Sequence, residues 1–529
     1  MKTLLIKRNY KMLLAFIAII IFFIYALGNV RIIAYTNKQQ IDNEICTTCY
    51  DNTIDIFDDS IVHEIKILTD DNTYDTLIDV FKETQEKEYV KVDVIIDGIT
   101  VENVGLRVKG NASLRNVLGV SMGNGDMGNF APKAFGQDFE LPEGFEPPTN
   151  MQNNMPTGTG SFEDQMPFNQ MNGGKEDIPY LLKFDEFVEG QCYEGYSEIA
   201  IRTSGVSEDA SMLQEPITNY AMNSVGIPAS KTSYASIQLT EDSDPIMYTL
   251  AEQVDQLYID KLFPDSDGVL YKINQVGNSF EYLGDDPTLY ADIFEQKTNI
   301  NDADMTPLIK FMKFVTTATD EEFAKDLDKY FDVTAFADYL AIHNLLANND
   351  SLAGMGNNYY LYYDFDTGKF TTLSWDTNES LGKLSGMGGG GEKSGSGSNN
   401  GATTNVYWEN SGDFGKFFEE QEAENTLVED KDKGGKMGMG SHILKTRFFE
   451  TPEFLELYEQ RYELLYKKIF VKDLLTQKVE EYSEMITKYN EENKLVDQTE
   501  YNKAVQTVLD FIEARYEYLQ TIDFLTTFP

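Results

Sequence analysis

The chain has 529 residues, with 43 Lys and Arg against 88 Asp and Glu, giving a formal charge of −45. That length exceeds one ordinary domain and allows a large core. A charge this negative argues against nucleic acid and anionic lipid, which need a basic surface, and suits metal ions, cationic partners or plain solubility.

In chain order, the first signal is a basic start (Lys2, Lys7, Arg8, Lys11) followed by an uncharged apolar run from Met12 to Gly28. Basic residues stay on the cytoplasmic side, so the pattern predicts export of everything that follows. The run is near the lower length for a membrane span. Residues 1–28 read as a single-pass anchor in the cell membrane, with a cleaved signal and secretion as the alternative, given the small residues Ala26 and Gly28. Residues 29–60 read as a linker. Within it, Cys46 and Cys49 form a C-x-x-C that predicts a small disulfide outside the cell, while Cys192 reads as a buried apolar filler.

Regular patterning begins at Ile61. IVHEIKIL alternates as a strand, Asp75 to Lys87 is helical, and YVKVDVIIDG and ITVENVGLRVKGN are strands around an Asp-Gly turn. Residues 116–174 collapse into Gly, Met, Asn and Pro and predict a low-complexity insertion. Gly123, Gly125 and Gly128 match G-x-G-x-x-G there, but no strand leads in and no helix follows, so no phosphate loop is read. IPYLLKF is then a strand, and Asp209 to Val225 a helix ended by Gly226 and Pro228. SYASIQLT, IMYTLAEQV and DGVLYKI are further strands. From Asp304 the apolar spacing is helical, apart from one hairpin at 348–382 and a Gly-rich loop at 386–401.

The three histidines, His63, His343 and His442, form no H-E-x-x-H, so Asp and Asn are left to do chemistry. They gather in NNDSLAGMGNNYYLYYDFDTGKFTTLSWD, from Asn348 to Asp376. A regular hairpin centred on Thr367 places Asn358 and Asp376 opposite each other at its open end, with Asp350 beside them. Two hard oxygen ligands suit Mg²⁺ or Mn²⁺, and a third carboxylate can take a proton from a hydroxyl. Protein kinases use such an arrangement at other spacings. Spacing alone favours the plainer alternative, in which Asp and Asn cap the helix and hairpin ends.

The run from Asn348 to Gly382 resembles the signature of the CotH family, the spore coat protein H-like atypical kinases: an Asp, N-x-x-x-Y, Gly-Lys, then W-D-x-D-x-x-x-G. VGLRVKGNASL is similar to that family's R-x-K-G-N-x-S element, IPYLLKF to its pre-helix strand, and NSVGIPASKTSYASIQL to its G-V-P-x-x-x-T segment. TLAEQVD and GVLYK resemble the pair that follows. The likeness spans residues 61–525 apart from the two low-complexity segments. It implies an α+β, atypical protein-kinase-like two-lobed fold, with a strand-rich N-lobe over 61–300 and a mostly helical C-lobe over 301–529. It also implies ATP with Mg or Mn and phosphate transfer to protein Ser or Thr. Carried over by position, Asp350 matches the catalytic Asp, and Asn358 and Asp376 the metal ligands. Arg107, Lys109 and Ser113 match an element suited to phosphate contact. Lys183 is expected as a nucleotide-binding Lys with Glu215 as its ionic partner. Asn378 stands where the pattern has its second Asp, keeping an oxygen and losing a charge. Export into surroundings poor in ATP leaves a second function open: a noncatalytic extracytoplasmic surface protein of the same fold that binds Ca²⁺, cell-wall polymer or a protein partner.

Overall fold

A computed structural model describes residues 46–110, 112–118, 174–203, 210–264, 266–274, 280–300, 303–383, 442–522 and 525, all within one compact unit, Asn43–Pro529. The predicted anchor, most of the insertion and the Gly-rich loop lie outside the described residues. Among the described residues no helix is long and apolar enough to cross a membrane.

The chain runs through β1 (Thr48–Tyr50), β2 (Val62–Leu68), α1 (Asp71–Thr84), β3 (Val90–Ile96), β4 (Ile99–Val108) and α2 (Ala112–Leu118). Next come β5 (Tyr180–Lys183), β6 (Gln191–Tyr193), β7 (Glu198–Arg202), α3 (Gln214–Val225), β8 (Thr232–Gln238) and β9 (Ile246–Glu252). They lead into α4 (Gln256–Leu262), β10 (Gly268–Ile273), β11 (Phe294–Gln296), α5 (Thr306–Thr317), α6 (Asp320–Asp326) and α7 (Val333–Leu345). The hairpin β12 (Tyr359–Asp364) and β13 (Phe370–Ser374) precedes α8 (Ile443–Glu450), α9 (Pro452–Ile469), α10 (Leu474–Asn493) and α11 (Gln498–Leu519). The content is mixed, strands dominating first and helices later.

Period-two patterning builds the first layer. In β2, His63, Ile65 and Ile67 are buried while Glu64 and Lys66 face out. Seven strands close into a barrel in the order β2-β3-β4-β5-β7-β9-β8, with β2 and β8 parallel. Closure pairs every edge, and Ile65, Val94, Leu106, Leu182, Ile201 and Ile237 meet inside. Helix α1 covers this core with Tyr74, Leu77 and Phe81. It starts earlier than its periodicity predicts because the Asp70 side chain accepts from Thr73 N–H and fixes the N-cap.

A second sheet has the order β11-β10-β12-β13. Strand β10 therefore leaves the barrel and pairs with the hairpin, Tyr271 opposite Leu361. This brings Lys272 beside the strands that carry the predicted metal ligands.

The helical half packs around α7, whose residues Tyr339 to Leu345 are all buried. Arg515 of α11 is 0% exposed and donates to the carbonyls of Leu345 at 3.2 Å and Asn344 at 2.7 Å. The Tyr462 hydroxyl donates to Asn344 Oδ1 at 3.0 Å. The guanidinium thus adds donors to backbone carbonyls in the last turn of α7, where a cation suits the dipole, and Tyr462 satisfies a side-chain oxygen there.

The disulfide differs from the sequence expectation. Cys46 is bonded to Cys192, 146 residues away, and Cys49 is free and exposed. The cause is a parallel pairing of β1 with β6, which puts the Cα atoms of Cys46 and Cys192 5.7 Å apart. Local cysteine spacing carries no information about that pairing.

Truncating Arg515 to Ala should destabilise the protein by about 2–4 kcal/mol, since packing volume and a charged donor to two buried carbonyls are lost together. A lower urea midpoint checks this; an unchanged midpoint would show that water replaces the guanidinium at no cost.

Candidate active site

Helix α7 ends just before Asp350, and neutral groups fix the turn between them. The Asn348 side chain is fully buried. Its Oδ1 accepts from Asp350 N–H at 3.1 Å, and its Nδ2 meets His343 Nδ1 at 3.1 Å. With Nδ1 accepting, His343 carries its proton on Nε2, which lies 3.0 Å from Ser374 Oγ. Burial pushes His343 down to about 3, so the ring stays neutral and joins the Asp350 turn to the end of β13.

Two adjacent amides hold Asp350. Asn358 Nδ2 donates to its Oδ2 at 2.7 Å and to its backbone carbonyl at 3.0 Å, and Asn357 Nδ2 donates to its Oδ1. Burial pushes the Asp350 carboxyl up to about 6; the charges of Asp376 and Glu379 add to this, and the two amides work against it. The intervening loop is tight. A Cβ on Gly354 would lie 1.9 Å from the carbonyl oxygen of Asn349, so only Gly fits. Lys445 of α8, 3% exposed, donates to the carbonyls of Ala353 at 3.0 Å and Gly354 at 2.9 Å.

The hairpin register pairs Tyr359 with Ser374 and Tyr363 with Phe370. Its axis thus falls between Asp366 and Thr367, and Asp376 lies one position beyond the partner of Asn358 rather than opposite it. Asn358 (φ 51°) and Asp376 (φ 55°) both adopt the left-handed conformation, which turns each side chain out of its strand's alternation.

Asp376 meets a cluster of cations. Arg202 Nη1 lies 2.8 Å from Asp376 Oδ1, and its Nη2 lies 3.0 Å from Glu215 Oε1. Lys109, Arg202 and Lys272 sit 4.8, 5.4 and 5.9 Å from the centre of the Trp375 ring. Burial raises the Asp376 carboxyl, but Arg202, Lys109 and Lys272 outweigh it and hold the group below its ordinary value. Burial and the neighbouring Arg202 drive Lys109 well down, and burial with Lys297 lowers Lys272. Lys87 is pushed down to about 8 by burial, then by Arg107 and Lys272. Glu215 is raised, first by burial and then by Asp376 against the pull of Arg202.

The residues named from the sequence fall into two groups. Asp350 and Asn358 are in contact, Asp376 acts on Asp350 through its charge, and Lys109 and Glu215 belong to the same cluster. Arg107 stacks over Tyr89 at 5.1 Å and adds its charge to that of Lys109. Ser113 is on α2, and its side chain is outside the described residues. The expected Lys183–Glu215 pair does not form. Lys183 contacts Glu198 at 3.1 Å and Asp185 at 3.0 Å, while Glu215 pairs with Arg202. The barrel register explains this. Lys183 is opposite Glu198 at one end of β7, and Arg202 is at the other end, about 13 Å along the strand.

Sequence reasoning missed Arg202, Lys272 and Asn357. For Asn357 a signal existed, since it neighbours Asn358. Arg202 and Lys272 reach the site only through barrel closure and the pairing of β10 with the hairpin.

Residues 176–519 match a family model described as CotH kinase protein. No curated protein matches the chain.

Lys445 supplies a test of the buried loop anchor. An unfolded Lys stays protonated to about pH 10, whereas burial brings folded Lys445 down to about 7. Between those values unfolding takes up a proton, so this group makes stability rise with pH from about 7 to about 10. Lys445→Met should flatten that part of the curve. Urea midpoints of the two proteins across the range test it, and parallel curves would show that Lys445 keeps its charge.

Proposed function

The chain belongs to the CotH kinase protein family, and from that premise we propose that it is an exported, metal-dependent kinase that moves the terminal phosphate of ATP to Ser or Thr hydroxyls of a protein. The observation that carries the reading is one juxtaposition. A base held by two amides, Asp350, lies within the field of Asp376, itself surrounded by Lys109, Arg202 and Lys272. Lys109 and Lys272, whose proton affinity is lowered first by burial and then by neighbouring cations, in a chain of charge −45, suit an anion such as a polyphosphate.

The residues fit a divalent ion. Asn357 Oδ1 is buried with no hydrogen-bond partner, a costly state that a ligand relieves. Asp376 and the side-chain amide oxygen of Asn358 would hold Mg²⁺ or Mn²⁺, whose chemistry there is to neutralise phosphate oxygens.

The chain's own groups do the rest. Asp350, brought to about 6, is largely ionised near neutral pH yet basic enough to take the proton of an attacking hydroxyl. Arg107, Lys109, Arg202 and Lys272 stabilise the phosphate charge, and Ser113 takes the phosphate contact that the family pattern assigns it. Glu215 orients Arg202. Lys183, already matched by Glu198 and Asp185, shapes the nucleotide cleft. The basic and apolar start supports a membrane-anchored or secreted protein. Asn378 favours a second reading, a noncatalytic surface protein, because it removes a charge from the metal side.

The test is incubation of the protein with ATP and Mn²⁺ or Mg²⁺, read by intact mass. A phosphoryl increment is expected. Asp350→Ala should lower its rate about 10²–10⁴-fold, the usual contribution of a general base, and Asp376→Ala should abolish it. An adenylyl increment would keep the site and change the reaction. No modification, together with no nucleotide-dependent rise in Tm, would support the binding protein instead. Asn378→Asp should lower the Mn²⁺ concentration needed for half-maximal rate, since a charged ligand tightens divalent-ion binding; an unchanged requirement would place residue 378 outside the metal shell.

A further inference from the structure

All three cysteines of the chain meet at one place. The Sγ atoms of Cys46, Cys49 and Cys192 lie within 4.8 Å of one another. The Cys46–Cys192 bond uses two of them, and Cys49 is an exposed thiol beside it. The register of β1 on β6 puts Cys49, not Cys46, directly opposite Cys192. Neighbouring strands lie about 4.8 Å apart, inside the range of Cα separations that a disulfide spans. The Cα atoms of Cys46 and Cys192 are 5.7 Å apart, also inside that range. Cys192 therefore has two partners of suitable geometry.

The backbone holds this arrangement with bonds that involve no sulfur. The N–H groups of Thr47 and Thr48 donate to the Gly190 carbonyl at 2.9 and 3.1 Å. Burial and the neighbouring Asp51 raise the Cys49 thiol above its ordinary value, against the N–H of Gly195, which donates to its Sγ at 3.1 Å, so exchange through its thiolate quickens as pH rises.

We propose that Cys46, Cys49 and Cys192 form a thiol–disulfide exchange centre in which Cys49 is the attacking thiol. Cys49 gives its proton to solvent, and its thiolate forms a bond to Cys192 Sγ. The Cys46–Cys192 bond breaks, and Cys46 leaves as a thiolate that takes a proton from solvent. Attack on Cys46 Sγ instead joins Cys46 to Cys49 and releases the buried Cys192. Neither route needs an oxidant, because one disulfide and one thiol are present before and after. The first route moves the cross-link to β6 from Cys46 to Cys49, and the second removes it. The centre also offers a thiol partner two exchangeable sulfurs in place of a single inert bond.

The experiment uses the full protein, folded and unreduced. It is treated with iodoacetamide over a time course, digested in acid without reduction, and mapped by mass spectrometry. Exchange predicts label on Cys46 or Cys192 as well as Cys49, and a second disulfide besides Cys46–Cys192. Label confined to Cys49 at every time, with Cys46–Cys192 the only bond, overturns the proposal. A second measurement stands apart from the first. Cys46→Ser should still form a disulfide, Cys49–Cys192, and show no free thiol; two free thiols in that folded variant would also overturn it. Cys49→Ser should lose all labelling and keep one bond.

Discussion

A buried carboxylate, Glu215, and a half-buried one, Asp376, share one guanidinium where three elements of the fold meet. Asp376 and Glu215 both contact Arg202, at 2.8 and 3.0 Å. Removing the guanidinium would leave the Glu215 charge buried and unpaired, which costs several kcal/mol. Each of the three groups comes from a different element: Arg202 ends β7, Glu215 opens α3, and Asp376 follows β13. Charge compensation therefore fixes the barrel, the helix and the hairpin sheet in one arrangement. Neutral bonds reinforce it. The Thr377 hydroxyl donates to Asn219 Oδ1 at 2.8 Å, the Thr218 and Ser380 hydroxyls pair, and Leu381 N–H donates to the Leu346 carbonyl at 2.8 Å. The last contact ties the segment after Asp376 to the end of α7.

Around that bridge the local charge is opposite to that of the whole chain. Most of the acidic excess is solvated and contributes to solubility. Close to Trp375, three cations compete for the field of Asp376 and the ring face. Burial first, and then neighbouring cations (Arg202 for Lys109, Lys297 for Lys272), make each lysine release its proton more readily.

The Asp350 side is built differently, from amides, a neutral imidazole and a tight glycine turn. Its anchors, His343, Asn348 and Lys445, lie behind the carboxylate and touch backbone or each other. A carboxylate held by neutral donors keeps its position without depending on a charged partner.

Much of this was legible in the sequence, for reasons that can be stated residue by residue. The hairpin around Asp364 to Gly368 is a local event, written by turn chemistry and alternation, and the ordered motifs from Arg107 to Asp376 carried the family likeness. Where reading depended on which distant strands meet, it failed. Cys46 found Cys192 because β1 lies along β6, and Glu215 found Arg202 because β7 runs between Lys183 and α3. The one-residue offset at Asp376 came from two left-handed residues that strand periodicity does not reveal. The sequence by itself determined most of the elements, the turn and the closeness of Asp350 to Asn358, because these rest on interactions between near neighbours. Only the tertiary structure decided the partners of the buried charges and of the cysteines, because burial makes long-range pairing obligatory without specifying in the sequence which groups will pair.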